Sequence, residues 1–209
     1  MVGKGVLLEC LEHPGVSEVV VVNRHPLGLA HPKLKEIIHK DFYNLSAVKD
    51  QLRGYDACFF CLGVSVVGLS EEQYTRITYS LTLHFAETVI NPNMTFIYVS
   101  GAGTDSSEKG RSMWARVKGK TENALLNMPF KAAYMFRPGL ILPMKGIRSG
   151  TVWYNATYFI LRPFFRLMKN SPSVTDTVRV GQAMINIVLH GSDKVHLENR
   201  DINEAAARH

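Results

Sequence analysis

Cys58 and Cys61 have the spacing of a CxxC pair, and thiolates at that spacing bind metals or exchange disulfides. Neither chemistry is expected here. The pair lies inside an apolar run, no second pair or ligand-spaced histidine accompanies it, and residues three apart on a strand face opposite sides. With Cys10 the cysteines number three, all in apolar segments, which is the usage of buried thiols in a reducing cytoplasm. His13, His25, His31, His39, His84, His190, His196 and His209 show no HxH or HxxxH spacing, and no Gly-x-Ser-x-Gly elbow suggests a hydrolase. Metal chemistry is not expected. What remains is a set of small, polar and basic residues directly after apolar runs: Arg24, Asp41, Leu62-Gly63-Val64-Ser65, Ser100-Gly101-Ala102 and Arg137-Pro138-Gly139-Leu140. Ligands of open α/β sheets bind at the carboxyl ends of parallel strands, so the position of these residues matters more than their types.

The elements that would position them alternate between helix and strand, the pattern of βα units and a parallel sheet. Residues 3–12 read as a helix stopped by Pro14-Gly15, residues 18–23 as a β-branched strand buried on both faces, and residues 34–39 as another strand. A short helix is expected over 45–52 and a strand over 56–62. Ser70-Glu71-Glu72-Gln73 is a capping box that opens a long amphipathic helix to about Ile90, stopped by Asn91-Pro92-Asn93. Strands over 95–100 and 132–136 flank a helix over 112–127. Thr175-Asp176-Thr177 caps a helix over 178–189, and the tail from Glu198 onward is polar. The alternation opens on a helix, so the central opening strand of a doubly wound sheet is expected to lie in front of Met1, making this an N-terminally truncated version of the fold.

Of the 209 residues, 46% are hydrophobic, and the 24 Lys and Arg exceed the 18 Asp and Glu to give a formal charge of +6. One domain is expected, with residues from about 144 to 209 forming a small C-terminal cap. The charge favours an anionic ligand, but the basic residues are scattered without aromatic interleaving, so nucleic acid is not an expected partner. Residues 151–168 are the most lipophilic stretch, yet Asn155, Arg162, Pro163 and Arg166 interrupt them. They read as a helix and turn packed on the domain or on a second subunit; the alternative is a surface patch touching a membrane.

Several motifs taken in order give the chain a resemblance to the atypical short-chain dehydrogenases, in their Tat-interacting-protein-like and bacterial epimerase/dehydratase-like branch. These are Met1-Val2-Gly3, Cys61-Leu62-Gly63, Tyr98-Val99-Ser100, Lys118-Gly119-Lys120-Thr121-Glu122 and Arg137-Pro138-Gly139. The resemblance covers nearly the whole chain and implies an α/β, Rossmann-like, doubly wound parallel sheet in three layers. It also implies a nicotinamide dinucleotide cofactor. Gly3 resembles the last glycine of the family's T-G-A-T-G-x-x-G turn, whose earlier glycines are absent, so phosphate binding rests here on Gly3. Arg24 falls where the family reads the adenosine ribose, and its guanidinium suits the 2′-phosphate of NADP better than NAD; alternatively it is a solvated loop residue. Asp41 corresponds to the adenine-side aspartate. Leu62, Gly63 and Ser65 correspond to the backbone passing the nicotinamide ribose, and Pro138, Gly139 and Leu140 to the lining of the nicotinamide pocket. Arg137 reads as a structural ion-pair or capping residue.

The catalytic motif matches only in part. Trp114-Ala115-Arg116-Val117-Lys118 has the spacing of the family's Tyr-x-x-x-Lys, with tryptophan at the tyrosine position, and an indole N–H does not titrate near neutral pH. Gly101 aligns with the catalytic serine, and Ser100 lies one residue earlier. Ser100 and Lys118 are therefore the candidate catalytic residues, Lys118 also being expected to hold the nicotinamide ribose unless it is a solvated helix lysine. The leading expectation is an NADP(H)-binding, cytoplasmic reductase or epimerase acting on a small molecule, with a homodimer as its candidate assembly. Two other expectations stand beside it: a dinucleotide-sensing or interaction module without turnover, and a membrane-associated protein using residues 151–168.

Overall fold

The computed structural model describes residues 1–147, 171 and 173–208. Helix α1 (Val2–Glu12) precedes strands β1 (Val19–Asn23) and β2 (Leu34–Ile38), which pair in parallel from Val19 opposite Leu34 to Asn23 opposite Ile38. Strands β3 (Ala57–Phe60), β4 (Thr95–Val99), β5 (Ala132–Arg137) and β8 (His196–Glu198) form a second parallel sheet in that order. Two short strands, β6 (Leu140–Leu142) and β7 (Val174–Asp176), pair in parallel beside it. No described strand is hydrogen-bonded between β1 and β3.

Between β3 and β4 runs one long helical stretch: α2 (Glu71–Thr75), a π-helical turn (Arg76–Ser80) and α3 (Leu81–Val89). Its capping box forms as expected, the Ser70 hydroxyl accepting from the Gln73 amide and the Gln73 side chain accepting from the Ser70 amide. Helix α4 (Met113–Leu126) joins β4 to β5, and α5 (Thr177–His190) starts at Asp176, whose carboxylate accepts from the Val178 and Arg179 amides, both at 3.0 Å.

Two apolar cores lie on opposite faces of the sheet, giving the three layers. Val6 and Cys10 of α1, Val180, Met184 and Ile187 of α5, and Ile202 pack on one face. Phe85, Ala86 and Val89 of α3, Leu125 of α4, and Leu45 and Leu52 pack on the other. The fold is thus a mixed α/β, Rossmann-type parallel sheet with helices on both faces.

Two expectations from the sequence need correction. Residues 45–52 form no α-helix but a turn closed by one 3-10 segment, Lys49–Leu52, because Asn44 offers local bonds that compete with helix: its side chain accepts from the Ser46 amide at 3.2 Å and hydroxyl at 2.7 Å. The tail is not merely polar. It supplies the last residue of β8 and then helix α6 (Asn199–Ala206), which buries Ile202 and Ala205 and begins with a reciprocal cap between Glu198 and Asp201. The lipophilic residues 151–168 lie outside the described residues. Among the described residues, no helix is long and apolar enough to cross a membrane.

Candidate functional site

At the carboxyl end of β1, the chain turns through Arg24 to Leu27, and Glu36 of β2 fixes that turn by accepting from the Asn23 side chain (3.1 Å) and the Leu27 amide (2.8 Å). Arg24 is exposed and has no hydrogen bond or ion pair to another described residue. Across from it, the first turn of α1 sits against the end of β3, where a Cβ on Gly3 would lie 3.3 Å from that of Cys61. Gly3, Lys4, Asn23, Arg24, Leu62 and Gly63 line one cavity of about 1240 Å³, with open space beside Gly63. Four candidate residues, far apart in sequence, therefore share one surface: Gly3, Arg24, Leu62 and Gly63.

A second group lies at the ends of β4 and β5. Trp114, Lys118 and Glu122 recur every four residues along α4 and so lie on one stripe of it. The Lys118 ammonium donates to the Ser100 carbonyl, while the buried Ser100 hydroxyl donates to Glu122 and lies 3.1 Å from the Phe136 carbonyl. Ser100 thus turns its carbonyl, not its hydroxyl, toward Lys118. Desolvation holds the Lys118 amine below the ordinary lysine value, with Glu122 opposing the shift. A Cβ at Gly101 would lie 3.8 Å from the Lys118 nitrogen and 3.9 Å from the Pro138 carbonyl, and Gly103 rests on the Trp114 ring at 3.5 Å by the same measure.

Glu122 is the hub beneath this group. It is fully buried, accepts from Arg137 Nε at 3.1 and 3.2 Å, forms an ion pair with the same guanidinium, and lies 3.5 Å from His196 Nε2. Burial and the neighbouring Arg137 charge press the His196 imidazole below its ordinary value against the pull of Glu122. The turn after β5 is held by backbone contacts: the Ala102 amide donates to the Pro138 carbonyl at 3.0 Å, and the Gly139 amide to Asn199 Oδ1 at 3.1 Å. Leu140 is partly exposed beside it.

Asp41 and Ser65 join neither group. Asp41 closes its own turn by accepting from the Tyr43 amide at 2.9 Å, and the Ser65 hydroxyl accepts from the Val67 amide at 3.3 Å. Sequence reasoning missed Glu36, Glu122, His196 and Asn199. Glu122 alone carried a signal, its spacing of four from Lys118 and eight from Trp114; Asn199 sits in the polar tail, where nothing singled it out. Among the described residues, no cluster of histidine, cysteine or acidic side chains could hold a metal ion.

No family model matches the sequence. It is 26% identical over 208 residues to Protein HTATIP2 of Rattus norvegicus, an alignment covering 96% of this chain and 83% of that one. In fold it is similar to the Bordetella bronchiseptica enzyme WbmF, solved in complex with NAD+, with a TM-score of 0.66 and 14% identity over 97% of this chain and 73% of the other. It is also similar to a short chain dehydrogenase from Burkholderia cenocepacia J2315, solved in complex with NADP, with a TM-score of 0.63 and 15% identity over 99% and 88%. Taken together, these likenesses and the ordered strand-end motifs make the chain similar to the atypical branch of the short-chain dehydrogenases, built on a Rossmann-type fold.

Proposed function

We propose that this chain is a cytoplasmic NADP(H)-binding protein of the atypical short-chain dehydrogenase type, acting as a reductase or epimerase on a small molecule. The observation that carries the proposal is Arg24: a guanidinium without a partner among the described residues, at the carboxyl end of β1 and on the same cavity as Gly3 and Gly63. The residues present fit a dinucleotide. Arg24 would pair with the 2′-phosphate and the first amides of α1 and the exposed Lys4 with the pyrophosphate, while Asp41, the resemblance's adenine-side residue, would reach the ligand only from outside this cavity lining. Leu62, Gly63 and Ser65 would pass the nicotinamide ribose, Lys118 would hold its hydroxyls, and Pro138, Gly139 and Leu140 would line the nicotinamide pocket. When bound, the cofactor supplies or accepts hydride. The chain's own part is orientation and electrostatics, from Lys118 and the backbone groups around Gly101 and Pro138.

A second reading, a sensor that binds without turnover, is favoured by two observations. Trp114 cannot exchange a proton, and the Ser100 hydroxyl is sunk against Glu122. Fluorescence titration with NADPH and NADH tests both readings. Binding of NADPH, weakened in Arg24→Ala to about the affinity for NADH, supports the proposal; absence of any dinucleotide binding overturns both. Binding with NADPH oxidation against a panel of small carbonyl compounds supports the enzyme, and binding without it the sensor.

A further inference from the structure

Pro138 and Gly139 share one peptide unit, and that unit is held at both ends. Its carbonyl, on Pro138, accepts from the Ala102 amide at 3.0 Å, and its N–H, on Gly139, donates to Asn199 Oδ1 at 3.1 Å. A trans peptide is planar, with C=O and N–H pointing in opposite directions, so the two bonds together hold the plane against rotation about the chain. The Pro138 carbonyl faces the space in front of Gly101, where a Cβ would lie 3.9 Å from it and 3.8 Å from the Lys118 nitrogen. Its orientation beside Lys118 is thus governed from the far end of its own peptide unit, by Asn199.

Asn199 suits this task by chemistry and by placement. It is the first residue of α6, 60 residues beyond Gly139 in sequence, and it is buried. The helix that carries it is itself anchored, by Ile202 and Ala205 in the core and by the cap between Glu198 and Asp201. The carboxamide is also used from both ends: Oδ1 accepts from the Gly139 amide, while Nδ2 donates to the Ser173 carbonyl just ahead of β7. The position therefore needs an acceptor and a donor on one short side chain, which a carboxamide supplies. An aspartate keeps the acceptor but turns a carboxylate oxygen toward the Ser173 carbonyl, two acceptors with no proton between them. The fit is close, since a Cβ on Gly139 would lie 3.1 Å from Asn199 Nδ2, 3.6 Å from the Ala102 Cβ and 3.8 Å from the Ser173 carbonyl. The loop after β4, the turn after β5 and the approach to β7 all meet at this glycine.

We propose that Asn199 is a positioning residue for the nicotinamide half of the dinucleotide: it sets the Pro138–Gly139 peptide plane, and through it one wall of the pocket, without touching the ligand. This role rests on the function proposed above, in which Pro138, Gly139 and Leu140 line that pocket. Gly3 and Arg24, which would hold the adenosine half, belong to the other group of residues and share no contact with Asn199. Loss of the carboxamide is therefore felt by one half of the ligand only.

The test compares the binding of NADPH with that of adenosine 2′,5′-bisphosphate, which lacks the nicotinamide half, using the full chain. In Asn199→Asp at about pH 8, NADPH is expected to bind about tenfold more weakly than in the parent, and the bisphosphate equally well. A protonated carboxyl accepts on one oxygen and donates from the other, as the carboxamide does. The Ser173 carbonyl favours that protonated form, so the NADPH deficit relative to the parent is expected to close as the pH is lowered to about 5. Asn199→Ala loses both bonds without adding a charge; it should show the same split between ligands at every pH, and gives the split even where the charged variant does not fold. Without any ligand, exchange of the Gly139 amide, followed by NMR, should be about tenfold faster in Asn199→Ala. Equal weakening of both ligands, or a deficit in Asn199→Asp that stays open on acidification, overturns the role in favour of a general loss of structure. Unchanged NADPH binding, or unchanged exchange at Gly139, overturns it outright. A parent that binds neither ligand overturns the proposed function and this role together, whereas a parent that binds both, with variants that do not separate them, overturns the role alone.

Discussion

Glu122 has no contact with water, and its carboxylate holds the Arg137 guanidinium, the Ser100 hydroxyl and the edge of His196. Replacing it with alanine leaves a largely buried guanidinium with only the more distant Glu198 carboxylate, 3.8 Å away, as counter-charge, which costs about 3 kcal/mol. Urea denaturation of Glu122→Ala is expected to show that loss, and Arg137→Met with Glu122→Leu together to recover most of it. His196 adds a pH dependence. Its folded value lies below the ordinary imidazole value near 6.5, so its contribution to stability is complete above that value and is lost as the pH falls from there through the lower folded value. Melting curves of His196→Asn should be flatter than those of the parent across that interval. At Trp114 the expectation concerns activity: Trp114→Tyr places a phenol four residues before Lys118 on the same stripe, and NADPH oxidation should appear or rise in the variant. An unchanged rate would mean that Ser100, Lys118 and the new hydroxyl do not share a site. The sequence marked Lys118 and Ser100 as candidate site residues. It did not show that they face each other through a carbonyl, because that depends on Glu122 capturing the serine hydroxyl from a helix 22 residues further on.

Helix α4 explains how the site elements are held. Its N-terminal half lies against the loop after β4 so closely that a Cβ on Gly119 would fall 1.8 Å from the Asp105 carbonyl oxygen, where the Asp105 amide also donates to the Ala115 carbonyl at 3.1 Å. Gly119→Ala must push loop and helix apart and is expected to cost about 3 kcal/mol, visible as a lowered melting temperature, with NADPH binding weakened through the displaced Lys118. On its other side α4 is tied to the long helix before β4 by Arg116 on Glu71 (2.9 Å) and by Lys120 over the Tyr79 ring (4.8 Å). That long helix was legible because its start is written locally, in Ser70 and Gln73. Helix α6 was not, because only Ile202 and Ala205 of its eight residues enter the core, and a pattern that sparse cannot be told from a polar tail without the surface it packs on. The same reason hid β6 and β7, three residues each.

Across the whole molecule, the parallel sheet was readable from the alternation of helical stretches with the runs that became β3, β4 and β5, whereas β1 and β2 follow one another with no helix between them. The two described parts of the sheet are joined through the helices, α1 and α5 packing on one face and α3 on the other, and through the hydrogen bond from Tyr55 to Glu18. Native-state exchange should accordingly be fastest in β1 and β2 and slowest in β4 and β5. If β1 and β4 exchanged alike, the two parts would be unfolding as one unit.

Tyr55 and Glu18 act as a latch between the residues just before β3 and just before β1. Burial pushes the Tyr55 phenol up to about 12, and hydrogen bonds from Lys35 and Tyr55 hold the Glu18 carboxyl below its usual range, so the latch keeps its donor and its acceptor through the whole neutral range. The starts of β1 and β3 are therefore joined by a bond insensitive to pH in the neutral range, while their carboxyl ends carry Arg24 and Gly63.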